Sequence, residues 1–226
     1  MKQHFIQAAA AAFLLGAMPA AHAIPTLSLQ VDAGPAYVCA DGSACDTLAS
    51  VAGIVAISQT LGDFYVNLTT GASKPLLVGG NPLMDLASFN IQVGGGAHTL
   101  VIGFSDTDFD IYGGQFGMQF GGALSGQGAS IEHAAYYDAG NTLFGQTTLI
   151  GQFAYGEGAF SGSASNGWSP EAPYSVTEIL TLRTAGGWLP TLASGDFEVN
   201  VPEPATLALL GLGLLGFSVA RRRVAR

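Results

Sequence analysis

Three aspartates, Asp106, Asp108 and Asp110, alternate as D-x-D-x-D directly after an apolar run. On an extended backbone, residues two apart project to the same side. The three carboxylates would then converge and offer hard oxygen ligands to Ca²⁺. The pattern is not an EF-hand loop, because Ile111 stands where the turn glycine is needed and Gly117 where the bidentate glutamate is needed. A solvated acidic loop closed by Gly113-Gly114 is the competing reading. Glu157, Glu171 and Glu178 could supply the paired carboxylates of a glycosidase, yet no spacing pairs them, and loop or surface positions are expected. His98 and His133 each fall inside a strand-like pattern and are expected at the surface or across a strand pair. No Ser-His-Asp spacing or nucleophile elbow marks a hydrolase. Trp168, Tyr174 and Trp188 lie near loops, where exposed rings would stack on sugars; core or rim packing is the alternative. Asn67-Leu68-Thr69 fits a glycosylation sequon, a motif short enough to recur by chance.

Both ends of the chain set the context for these residues. Lys2 and His4 precede an apolar Ala8–Ala17 core, and Ala21-His22-Ala23 is an A-x-A cleavage site. Residues 1–23 therefore read as a secretory signal peptide. In an exported chain Cys39 and Cys45, the only cysteines, read as a disulfide closing a small loop with Asp41-Gly42 at its turn. A zinc site is a poor alternative, since two thiolates do not complete one.

The span Ile24–Pro204 holds all 16 acidic residues and only Lys74 and Arg183 as bases, a net charge of −14. Such a body repels nucleic acid and anionic lipid, and it attracts divalent cations.

The C-terminus has three parts in order. Val201-Pro202-Glu203-Pro204 is followed by an uncharged apolar run, Ala205–Ala220, and then by Arg221, Arg222, Arg223 and Arg226. As a helix the run spans about 24 Å, slightly short of a ~30 Å hydrocarbon core, and arginine snorkelling makes up part of the difference. The positive-inside rule keeps the arginines cytoplasmic and puts the body across the membrane. Gly211-Leu212-Gly213-Leu214-Leu215-Gly216 spells a dinucleotide fingerprint, but it follows no strand and lies inside the membrane run.

This three-part tail resembles the PEP-CTERM sorting signal of Gram-negative bacteria that make exopolysaccharide. The resemblance covers Val201–Arg226. It implies processing by exosortase, a membrane transpeptidase-like enzyme, and a temporary hold in the inner membrane. It also implies delivery to the cell surface or extracellular matrix, with exopolysaccharide as a candidate partner. An ordinary C-terminal anchor is the alternative. The tail is also similar to a segment named for ice-binding proteins, from which no ice binding is inferred.

Between the two ends, 24–200 reads as one all-β domain, an antiparallel β-sandwich or jelly roll. Period-2 runs include Thr26–Asp32, Asp63–Thr69, Ser88–Val93, His98–Ser105, Ser130–Asp138, Thr147–Ala154, Tyr174–Thr184 and Asp196–Val201. Val51–Ser58 is more uniformly apolar, which makes eight or nine strands in all. Ser88–Val93 and His98–Ser105, flanking Gly94-Gly95-Gly96, predict a hairpin, and Gly42–Ala52 is the one stretch with room for a short helix.

The stretches around 81–86, 104–109, 137–145 and 173–182 are similar to the β-rich body of many PEP-CTERM proteins, which brings no known chemistry. The expected function is an exported, exosortase-sorted surface or matrix protein, structural or adhesive and non-enzymatic. A carbohydrate- or calcium-binding module is the alternative, and a secreted hydrolase comes third.

Overall fold

The computed structural model describes residues 23–77, 83–111, 114–168, 170–187 and 189–201; within strands, the side chains of 68, 69, 88, 89 and 166–168 fall outside the description. Twelve strands build it: β1 Thr26–Val31, β2 Tyr37–Ala40, β3 Ile54–Leu61, β4 Phe64–Ala72, β5 Met84–Val93, β6 Thr99–Phe109, β7 Gln115–Ser125, β8 Ser130–Asp138, β9 Thr148–Tyr155, β10 Gly158–Trp168, β11 Tyr174–Arg183 and β12 Thr191–Asn200. They form two six-stranded sheets, β2-β1-β6-β11-β8-β9 and β10-β7-β12-β5-β4-β3. Every pairing is antiparallel. No helix among the described residues is long and apolar enough to cross a membrane. The signal-peptide core, Pro202, Glu203, Pro204, the apolar run and the arginine cluster lie outside the described residues.

Alternation explains the layering. On β4, Phe64 and Val66 are buried while Tyr65 and Asn67 are exposed; on β5, Ile91 and Val93 are buried while Asn90 and Gln92 are exposed. The inward halves of both sheets make one core that includes Leu27, Phe104, Phe116, Phe120, Leu180 and Phe197. At one side the sheets close on an aromatic seam, where Tyr155 of β9 stacks on Phe160 of β10 at 5.0 Å.

Three expectations are corrected. The predicted hairpin does not form: β5 belongs to the second sheet and β6 to the first, so the three glycines carry the chain across the sandwich. A hairpin and a crossover demand the same alternation, since both bury one face of each strand. The strand count of eight or nine omits β2, β7 and β10. In the last two, glycines and serines fill many of the positions between the apolar residues and give a loop-like composition. Gly42–Ala52 forms successive turns, not a helix. They are organised by Asp46, whose carboxylate accepts from the amides of Gly42, Leu48 and Ala56. A disulfide joins Cys39 to Cys45 beside these turns, with Cα atoms 5.8 Å apart.

The chain enters and leaves at one pole. Thr26 pairs with Ser105 near the end of β6, and Asn200 pairs with Gly117 near the start of β7. Val201, directly after β12, is still buried.

Candidate functional site

The D-x-D-x-D aspartates do not converge. Asp106 is completely buried at the end of β6; its Oδ2 accepts from Ser73 Oγ at 2.7 Å and from Lys74 Nζ at 3.1 Å. Lys74 also sits 4.1 Å over the Phe109 ring and donates to the Thr107 carbonyl. Burial pushes the Asp106 carboxyl up from its ordinary value, against the pull of Lys74 and Ser73. Asp108 has φ 56°, which breaks the alternation that convergence requires. Its amide donates to Asn141 Oδ1 at 2.8 Å, and Asn141 Nδ2 returns a bond to its carboxylate at 2.6 Å. Asp110 is exposed beyond the strand. Among the described residues no group of three His, Cys, Asp or Glu side chains is placed to hold a metal. The three carboxylates are not assembled into a ligand set here; Asp106 and Asp108 instead staple the β6 end to neighbouring loops.

That staple continues into the connection after β8. Asp138 accepts from the Gly140 amide at 3.0 Å, the Thr142 amide at 3.1 Å and Thr147 Oγ1 at 2.8 Å, and these bonds, the Gly140 one foremost, hold its pKa below the ordinary value. Phe144 donates its amide to Ser105 Oγ at 2.9 Å and lays its ring over Gly103. This loop covers part of the outer face of the first sheet.

The remaining sequence candidates separate. Glu157 and Glu171 are exposed, as expected, but Glu178 is completely buried. His133 is also completely buried, between Phe197 and Phe120 with ring centroids at 3.5 and 5.2 Å. Tyr174 is not a loop aromatic: it is buried against Phe109 and Phe116 and donates its hydroxyl to the Ile111 carbonyl at 2.6 Å. The Trp168 side chain and Trp188 lie outside the description.

His98 stands at the pole opposite the chain ends. Its Nδ1 is 2.9 Å from Asp32 and its Nε2 is 3.2 Å from Asp63, which link the two sheets across the crossover. Donating from both nitrogens requires the imidazolium, and the Asp32 hydrogen bond, foremost, raises the His98 pKa. A raised pKa contributes stability that is complete below the ordinary histidine value and is lost as pH rises through the folded value. His98→Gln should therefore lower Tm most near pH 6, with the gap to wild type closing on the alkaline side. Thermal unfolding across pH 5.5 to 9 checks this, and a constant gap would contradict it.

The outer face of the second sheet presents a polar, concave surface that cross-strand register assembles. Tyr65 lies opposite Gln92 and Asn67 opposite Asn90; Leu192 lies opposite Gln92 and Ser194 opposite Asn90. Together they line a groove of ≈ 380 Å³, with Tyr65 47% and Leu192 48% exposed. Further along, Asp196 and Glu198 continue the outward row of β12, with Asp85 opposite Glu198. Burial, then the Asp196 charge beside it, pushes the Asp85 pKa up to about 7. Sequence reasoning missed this face, although its signal was the polar half of the alternation whose apolar half marked the strands.

The comparisons bear on the chain's end and on its fold. No match was found among curated proteins. Among solved structures the chain is similar to TmCBM61 in complex with β-1,4-galactotriose, at 9% identity and TM-score 0.33, covering 50% of this chain and 70% of that one. It is also similar to the CBM36-1 domain of a multidomain xylanase from the hindgut metagenome of Trinervitermes trinervoides, at 12% identity and TM-score 0.26, covering 49% and 76%. A third is the carbohydrate-binding module CBM36 in complex with calcium and xylotriose, at 10% identity and TM-score 0.25, covering 61% and 94%. Likenesses this distant assign no ligand to this chain. The PEP-CTERM protein-sorting motif matches residues 200–223, and this motif is an exosortase recognition signal. The chain is a PEP-CTERM motif-containing protein.

Proposed function

We propose that the domain is an exported, exosortase-sorted surface protein that holds a neutral polysaccharide along the outer face of its second sheet, in an adhesive or structural role and without catalysis of its own. The observation that supports this reading is the groove formed by Tyr65, Asn67, Asn90, Gln92, Leu192 and Ser194. Side-chain amides both donate and accept, as sugar hydroxyls do, and an exposed phenol offers a flat ring for stacking. Leu192 to Glu198 along β12 measures about 20 Å at ~3.4 Å per residue, room for several sugar units. Charge narrows the class. The body's net charge of −14 disfavours uronate or sulfated polymers.

Position supports the role as well. The groove lies toward the pole of Val93 and Thr191, while the sorting motif leaves from the pole of Asn200. A domain held by its tail would present the groove away from the membrane. In this reading the body is anchored in the inner membrane first and then transferred to the cell surface or matrix, with exosortase as the processing partner.

The test is affinity electrophoresis of the full-length chain, in detergent, through gels containing neutral or uronate-rich polysaccharide. Retardation by at least one neutral polymer is expected, with Tyr65→Ala/Asn90→Ala weakening it about tenfold or more, in line with a lost stacking contact and hydrogen bonds. Retardation only by uronate polymers, or one that the double variant leaves unchanged, would sink the proposal.

A further inference from the structure

Two ionisable side chains lie in the inter-sheet core without partners. Glu178 on β11 and His133 on β8 are completely buried, and none of Oε1, Oε2, Nδ1 and Nε2 has a hydrogen-bond partner. Register places them together: Glu178 is opposite Ala135 and Leu180 is opposite His133, so the two are diagonal neighbours on the same inward face. Such diagonals are about 7–8 Å apart, within reach of long side chains.

Among the described residues none supplies them a counter-charge. Phe104 flanks Glu178 from β6, and Phe120 and Phe197 flank His133 from the second sheet. The charged groups that act on Glu178 from β5 and β12 are Asp85, Asp196 and Glu198, all of its own sign. The cations are engaged elsewhere, Lys74 with Asp106, Arg183 with Glu132 and His98 with Asp32 and Asp63.

We infer that Glu178 and His133 form a buried acid–base pair that lets the two sheets pack tightly only while both are uncharged, so that the sandwich loosens on either side of a mildly acidic optimum. An ion on one of them alone would be completely buried with no counter-charge beside it, so charging either one works against the closed sandwich.

The titration directions agree with the geometry. Burial, then Asp85, raises Glu178 well above its ordinary value, and burial lowers His133 to about 3. For Glu178 the folded pKa exceeds the unfolded one. Its stability is complete below the ordinary carboxyl value and falls as pH rises through the folded value. For His133 the folded pKa is depressed. Its stability is present above the ordinary imidazole value and falls as pH drops toward about 3. The two limbs cross between about pH 4.5 and 6.5.

Thermal unfolding of the full-length chain in detergent, from pH 3 to 9, tests the inference. Asp85 titrates in the same direction as Glu178, so Glu178→Gln is made in an Asp85→Asn background. There it should raise Tm at pH 8 by about 5 °C or more and flatten the alkaline limb. His133→Phe should flatten the acid limb alone. An alkaline limb that Glu178→Gln leaves unchanged, or an acid limb that His133→Phe leaves unchanged, overturns the pair. Should a variant fail to fold, NMR of the wild-type side chains decides. A Glu178 carboxyl still protonated and a His133 ring still neutral at pH 6 support the inference, and an ionised form of either contradicts it.

Discussion

Lys74→Ala lowers stability by about 3 kcal/mol at neutral pH, and adding Asp106→Asn restores most of the loss. The lysine pairs with a completely buried aspartate, 3.1 Å away, and it also caps the Phe109 ring at 4.1 Å. Removing one partner of a buried pair typically costs ~3–5 kcal/mol because the other charge is stranded. The lysine side chain is 25% exposed, and water at that edge puts the expectation near the lower bound. Asparagine at 106 has no charge to strand and can still accept from Ser73 Oγ. Urea unfolding of both variants, with and without millimolar Ca²⁺, is the measurement. Calcium-insensitive loss and rescue identify a staple; calcium that restores the Lys74→Ala protein would reinstate Asp106 as a ligand.

Gly71→Val is the second large loss, about 3 kcal/mol or more. Gly71 on β4 faces Phe104 on β6 across the core, and a Cβ there would lie 2.5, 2.6 and 2.8 Å from three ring carbons. A completely buried ring of this size has nowhere to retreat without opening the sandwich. Overpacking typically costs ~1–3 kcal/mol and more where the neighbour cannot move. Phe104→Leu in the Gly71→Ala background should recover part of that variant's loss, because the smaller side chain yields the space. Denaturant midpoints of the single and double variants measure the coupling, and strict additivity would show that the two residues do not oppose one another.

The apolar half of each alternation was readable in the sequence, which is why β1, β4, β6 and β11 stand where period-2 runs predict them. What those runs cannot carry is partnership. Ile91 and Val93 on β5, and Leu100, Ile102 and Phe104 on β6, bury the same faces whether the strands pair or oppose one another. β7 was hidden differently. Phe116, Met118 and Phe120 alternate as a strand should, but Gly117, Gly121 and Gly122 read as turns. Gly122 is needed where β7 passes Ser194 and Gly195, since a Cβ there would lie 2.2 Å from the Ser194 carbonyl oxygen.

The candidate site was half legible. Tyr65, Asn67, Asn90 and Gln92 occupy the outward positions of two recognised strands, but only the register between β4, β5 and β12 shows that they share one groove. The aspartate motif was legible as a pattern and misleading as chemistry, because Lys74 and Asn141, which neutralise and bind its members, come from distant loops. Glu178 stood at an inward phase of its strand among Tyr174, Val176, Leu180 and Leu182. Its burial follows that phase and not the polarity of its side chain.

Backbone amide NMR shifts of the full-length chain in detergent, recorded during titration with a neutral oligosaccharide that the polymer assay selects, test the binding face most directly. Shifts concentrated at Tyr65, Asn67, Asn90, Gln92, Leu192 and Ser194 are expected, with the loop of Asp138–Thr147 unmoved. Saturable binding whose shifts fall on the first sheet or on the polar loops, and spare those six residues, would contradict it.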